Sequence, residues 1–319
     1  MAKEEVKSNP VGDLKWIIII ILSLWFISRS GFGLLNNNKT GGSGDTGSKS
    51  SVVGGQSESQ SLANGKVSKW KDLIKIGRGN APSEDYPRYE YITLKNVSDN
   101  ERINITGWSL KNGKDKKYYP VNDKQAKGTS NKVTIPKGAL IFIPNGINPQ
   151  EDIILNPKDE AIITTGVPFG VKTSFRENIC SGYIQESEDY NYKPSLNTNC
   201  PSPMDEKEVD SLDDVCYKFV SRMSSCHTPE FKSVVYINKE PFTGYVDNAG
   251  NLSYQCKEFL KKNYNYNSCI VNHLADKDFF EKKWRVFLNS PWELWSKDRE
   301  TITLYDSEGK MVDELTYGY

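Results

Sequence analysis

From about residue 70 the chain alternates apolar and polar positions in short runs, each closed by turn-forming residues. Leu73-Ile74-Lys75-Ile76 runs into Gly77-Arg78-Gly79-Asn80, and Tyr89 to Leu94 alternates before the turn at Ser98-Asp99-Asn100. Ile103 to Thr106 and Gly107-Trp108-Ser109-Leu110 follow. Val133-Thr134-Ile135 leads to Pro136-Lys137-Gly138, and Ala139 to Ile143 leads to Pro144-Asn145-Gly146. Ile153 to Leu155 and Ala161 to Thr164 close this block. Period-two runs bounded by Gly, Pro, Asn and Asp predict strands, because successive side chains of a strand point to opposite faces. Many short strands at this spacing predict a mainly β fold, a β-sandwich.

The period changes between about Cys180 and Lys282. Cys216, Phe219, Val220 and Met223 fall on one helical face, and Ser211 with Asp214 has the spacing of a capping box. Tyr254, Cys256, Phe259 and Leu260 predict a second helix, and Asp276 to Lys283, with Phe279 and Phe280, a short third one. Thr301 to Leu304 restores the strand pattern, and Asp306-Ser307-Glu308-Gly309 predicts a hairpin turn with glycine in the left-handed position. Gly107-Trp108 reads as an indole packed where a strand bends.

A different pattern occupies the N-terminus. Residues 1–15 form a short charged tail, and Trp16 to Ile27 is apolar except for Ser23. Carried on to Leu35, with Arg29 reaching outward to the interface, residues 16–35 have about the 20 residues a helix needs to cross a bilayer. Ser28-Arg29-Ser30 is a poor cleavage site, so an uncleaved transmembrane signal anchor is expected rather than a cleaved secretory peptide. A buried core helix is disfavoured because the segment is apolar all round. Residues 36–65 hold seven Gly and seven Ser without apolar periodicity. This is a linker, spanning on the order of 30 Å as a flexible coil.

Composition refines the picture in two respects. The 41 basic and 41 acidic residues cancel, so no net field draws in nucleic acid. All six cysteines, Cys180, Cys200, Cys216, Cys226, Cys256 and Cys269, follow the apolar segment. An even number there suits disulfides in an oxidising compartment. With Lys3, Lys7 and Lys15 ahead of the anchor, the C-terminal part is expected outside the cytoplasmic membrane. The cysteines would brace a helical unit with little apolar surface of its own. Cys180 with Cys200, and the other four among the helices, is the expected pairing.

Four stretches in order support a family resemblance: Glu90 to Asn96, Ile105-Thr106-Gly107-Trp108-Ser109-Leu110, Ile135-Pro136-Lys137-Gly138 with the apolar run after it, and Thr301 to Asp313. In this order they resemble the lamin tail domain. The resemblance covers residues 68–180 and 283–319 and implies an immunoglobulin-like β-sandwich, interrupted by a cysteine-rich helical insertion at 181–282. Bacterial proteins similar in this way often carry such a domain behind an anchor, as an adhesion or interaction module without recognised chemistry.

Candidate chemistry is sparse. No H-E-x-x-H, G-x-S-x-G or P-loop pattern occurs, Gly77-Arg78-Gly79 lacks the third glycine of a nucleotide loop, and nothing points to a cofactor. Cys226-His227 with Cys269 and His273 is the best zinc candidate, but adjacent residues cannot easily address one ion. Asp247 to Asn251 imitates a calcium loop, with Ala249 and Leu252 where a ligand and a glycine are needed. Lys114, Lys116 and Lys117 before Tyr118-Tyr119 read as a solvated hairpin tip, with anionic polymer or lipid headgroups as the other possibility. Asn96, Asn104 and Asn251 begin glycosylation triplets that arise often by chance. A non-catalytic module binding an extracytoplasmic protein or polymer is therefore expected. The competing expectation is a hydrolase using carboxylates such as Glu186, Glu188 and Asp189.

Overall fold

The computed structural model describes residues 67–318 apart from 114–117, 122–123, 128–131, 169–170, 172, 187–190, 232–234, 238–239 and 243–251. The expected tail, anchor and linker lie outside the described residues. Among the described residues no helix is long and apolar enough to cross a membrane.

The fold is mostly sheet. A six-stranded sheet runs in the order β1 (Ile74–Gly77), β2 (Tyr91–Asn96), β10 (Glu160–Thr164), β14 (Phe280–Phe287), β11 (Ser174–Asn178) and β8 (Gly138–Ala139). A four-stranded sheet has the order β16 (Met311–Tyr317), β15 (Glu300–Tyr305), β4 (Ser109–Asn112) and β7 (Lys132–Thr134). Three short pairs accompany them: β3 (Ile103–Asn104) with β9 (Ile154–Leu155), β5 (Tyr118–Val121) with β6 (Lys124–Lys127), and β12 (Val235–Ile237) with β13 (Glu240–Phe242).

The two large sheets share one core. Ile74, Ile92, Leu94, Ala161, Ile163, Trp284 and Val286 come from the six-stranded sheet, and Leu110, Ile302, Leu304 and Val312 from the other. All are buried, and each large aliphatic among them contributes about 2 kcal/mol of transfer free energy. The ladder fixes the register, with Leu94 opposite Ala161 and Ala161 opposite Trp284. The first pairing is antiparallel and the second parallel.

β14 is buried on both faces of its C-terminal half. Trp284 and Val286 point into the inter-sheet core, while Phe287 packs in a second cluster with Phe142, Phe175 and Tyr192. Arg285 emerges on this second side. It donates to Glu177 Oε1 at 2.5 Å and to the carbonyls of Pro194 and Ser195 at 2.6 and 2.8 Å. Glu177 Oε2 accepts the Asn197 N–H at 3.0 Å. A charge pair this dry is tolerated only because its remaining hydrogen-bonding capacity is also met.

Among the described residues four α-helices lie between β11 and β14: α1 (Gly182–Glu186), α2 (Asp214–Val220), α3 (Tyr254–Asn263) and α4 (Tyr266–His273). Three disulfides brace them, Cys180–Cys269, Cys200–Cys226 and Cys216–Cys256. All six candidate cysteines are thus oxidised, but the expected Cys180–Cys200 pair does not form. Asn178 fixes the Cys180 backbone and donates to Tyr266 Oη at 3.2 Å, which carries α4 over the end of β11 and puts Cys269 within reach. The Cys180–Cys269 bridge closes the longest loop, for which chain entropy gives roughly 4–5 kcal/mol.

Three other expectations are corrected. Asp276 to Lys283 is not a helix, because from Phe280 the chain enters β14 between β10 and β11, where two ladders outweigh local helix propensity. Ser211 does not cap α2. It closes a 3-10 turn at Val209–Ser211, and Asp213 Oδ1 accepts the Val215 and Cys216 N–H groups instead. The apolar run from Leu140 to Ile143 leaves the sheet after Ala139 because the Asn148 side chain takes both the N–H and the carbonyl of Ile143.

Glu90 is completely buried and accepts the Leu294 and Trp295 N–H groups at 3.0 and 3.2 Å. Burial pushes its pKa up from 4.5 to about 7. The charged form is therefore penalised in the fold. Its contribution is fully favourable below pH 4.5 and is lost as pH rises through about 7. Chemical denaturation across that window should show Glu90→Gln losing on the order of 3 kcal/mol less stability than the parent chain. Identical slopes for the two proteins would refute the assignment. Gly182 supplies a second test, since a Cβ there would overlap the Cys226 sulfur and lie 2.9 Å from that of Cys200. Gly182→Ala should cost about 1–3 kcal/mol, read from thermal midpoints under non-reducing conditions.

Candidate ligand cavity

Three turns meet at one end of the shared core. In the first, the Trp70 N–H donates to Ser68 Oγ at 3.1 Å, and Trp70 packs against the core while Lys69 stays exposed. In the second, Asn104 Oδ1 accepts the Thr106 N–H at 2.9 Å and Thr106 Oγ1 accepts the Ile153 N–H at 2.7 Å. Gly107 then takes a φ of 78°, which delivers Trp108 into the core at 2% exposure. The third is the β15–β16 turn, where Asp306 Oδ1 accepts the N–H groups of Glu308 and Lys310, both at 2.9 Å, and Gly309 has a φ of 77°.

Together they enclose a cavity of about 280 Å³ lined by Trp70, Thr106, Trp108, Asp306 and Ser307, with Asn104 and the charged Lys69, Glu308 and Lys310 completing the wall. Lys69 Nζ rests 4.5 Å from the centroid of the Trp70 ring. Among the described residues no carboxylate pairs with it. Lys310 does have a counter-ion, Glu308 at 2.8 Å, which raises its pKa above the ordinary lysine value. Asp306 is 7% exposed, and its Oδ2 receives no hydrogen bond from the described residues. The cavity thus offers an ammonium, a carboxylate oxygen and the Thr106 and Ser307 hydroxyls to a ligand.

No protein-family model, curated protein or solved structure matches this chain.

The structure disperses the candidates for other chemistry. Cys226 and Cys269 sit in different disulfides, and no group of metal-ligating side chains converges among the described residues. His273 is held between Asp276 Oδ2 at 2.8 Å and Glu206 Oε1 at 3.2 Å. Burial opposes its charge, but the two carboxylates outweigh it and raise the pKa. Glu186 pairs with His227 and accepts the Thr228 N–H at 2.9 Å, while Glu188 and Asp189 lie outside the described residues. Lys114, Lys116, Lys117 and Asp247 to Asn251 also lie outside them. Gly77-Arg78-Gly79 is the end of β1 and the turn after it. Asn96 is buried and donates to three carbonyls, whereas Asn104 stands in β3 at the cavity rim.

Sequence reasoning reached Trp108 and the 306–309 turn as packing and turn features, without the shared cavity. Lys69 carried no signal and Thr106 entered only through the 103–110 run, since no periodicity brings the two together. The geometry separates the roles of two charged residues. Asp306→Ala removes an acceptor of two turn N–H groups and should cost about 2 kcal/mol in denaturation experiments. Lys69→Gln, which gives up one exposed cation–π contact, should cost less than about 1 kcal/mol.

Proposed function

We propose that this chain is a non-catalytic extracytoplasmic interaction or adhesion module, held at the membrane by its N-terminal apolar segment. Its core is read as the immunoglobulin-like sandwich that the lamin-tail resemblance implies. The observation that carries the reading is the cavity at the end of the two sheets. Its two carboxylates are engaged in holding its shape, Asp306 Oδ1 by the turn and Glu308 by Lys310, as suits a recognition pocket. Supporting it are the three disulfides, which fit an oxidising compartment.

The topology is tested on cells expressing the full chain. Protease added outside should digest the C-terminal part, and peptide mapping without reductant should recover the three linked cysteine pairs. A C-terminus protected until the membrane is opened, or six alkylatable thiols in the native protein, would overturn the proposal.

A further inference from the structure

We infer that the cavity takes one carboxylate-bearing, hydroxyl-rich sugar unit, a uronic acid residue of an acidic polysaccharide. The inference rests on the binding-module reading and names the ligand class of that same cavity.

Charge comes first. The Glu308–Lys310 pair neutralises itself, and Asp306 keeps its charge with Oδ1 taken by two backbone N–H groups, whereas Lys69 is a cation with no carboxylate partner among the described residues. Its ammonium is held over the Trp70 ring, so little side-chain freedom is lost when an anion arrives. A ligand carboxylate satisfies it. Asp306 Oδ2 can only accept, and Thr106 Oγ1, already an acceptor for the Ile153 N–H, has its own hydrogen to donate. Ser307 does both. Such a set complements neighbouring hydroxyl groups, each of which is donor and acceptor at once.

Size and lining narrow the class further. A cavity of about 280 Å³ is at the small end for ligand pockets and suits a single ring or a comparably small group. Its apolar wall is confined to two indoles, one fully buried and the other occupied by Lys69 and the core. An apolar peptide side chain would find little to bury against. A sugar carboxylate uses the ammonium and the acceptors together, and the open rim lets the polymer continue beyond the bound unit.

The test is calorimetric titration of the full chain in nanodiscs, with trigalacturonate as probe, maltotriose as the neutral sugar and glutamate as the zwitterion without hydroxyls. Trigalacturonate should bind at least about tenfold more tightly than either control, and Lys69→Gln should lose about tenfold of that affinity. Ser307→Ala should weaken binding a few-fold without changing the thermal midpoint. Equal binding of maltotriose, a preference for glutamate, undiminished binding by Lys69→Gln, or no binding of trigalacturonate would each overturn the inference. Any of these results in a chain whose C-terminal part is digested from outside rejects the sugar assignment alone. A C-terminal part protected from external protease removes the underlying reading as well.

Discussion

The contact between Arg285 and Glu177 is the constraint on which the architecture turns. Both side chains are dry, so either one alone would leave an uncompensated charge in the interior. The pair forces β11 and β14 to stay adjacent, and the guanidinium's remaining donors reach across to residues 194 and 195. One side chain therefore ties the centre of the larger sheet to the polypeptide that covers its outer face. Its neighbours in β14, Trp284 and Val286, serve the opposite face, so a single strand organises two cores.

The covering segment would not hold together by apolar burial alone. Its third cluster consists of Val209, Cys216, Val220, Cys256, Leu260 and Tyr264, with a disulfide inside it, and the second contains the other two bridges. The bridges act on different scales. Cys216–Cys256 joins α2 to α3 locally, whereas Cys180–Cys269 anchors α4 to the sheet across a longer loop and removes only slightly more freedom from the unfolded chain, because the entropy grows with the logarithm of loop length. Gly182 follows from the same crowding, since no larger residue fits beside the Cys200–Cys226 sulfurs.

Polar groups buried without a cation have a different consequence. Glu90 accepts the backbone N–H groups of Leu294 and Trp295 and is fully buried. That arrangement fixes this segment but makes its stability sensitive to proton concentration. The cavity solves the opposite problem. At its rim water screens the charges, so Lys69 can stand beside an indole with no counter-ion among the described residues at little cost. Rigid turns beneath it keep the polar groups in place before any ligand arrives, which is the condition for recognition by a small number of contacts.

The sequence by itself determined strands such as β1, β2, β4, β10 and β15, where Gly107 and Gly309 turn the chain, and that the cysteines would be oxidised in pairs. Those are properties of period, of glycine's access to positive φ, and of residue number, all of which are local or countable. It also located α2 and α3 from their apolar faces. Tertiary structure decided the rest. Phe280 to Lys283 became strand because β10 and β11 offered two ladders, and Cys180 found Cys269 because Asn178 and Tyr266 brought α4 to it. The cavity belongs to the same class. Lys69, Thr106 and Asp306 lie on three turns far apart in sequence, and only the closure of two sheets on one core brings them to a common wall.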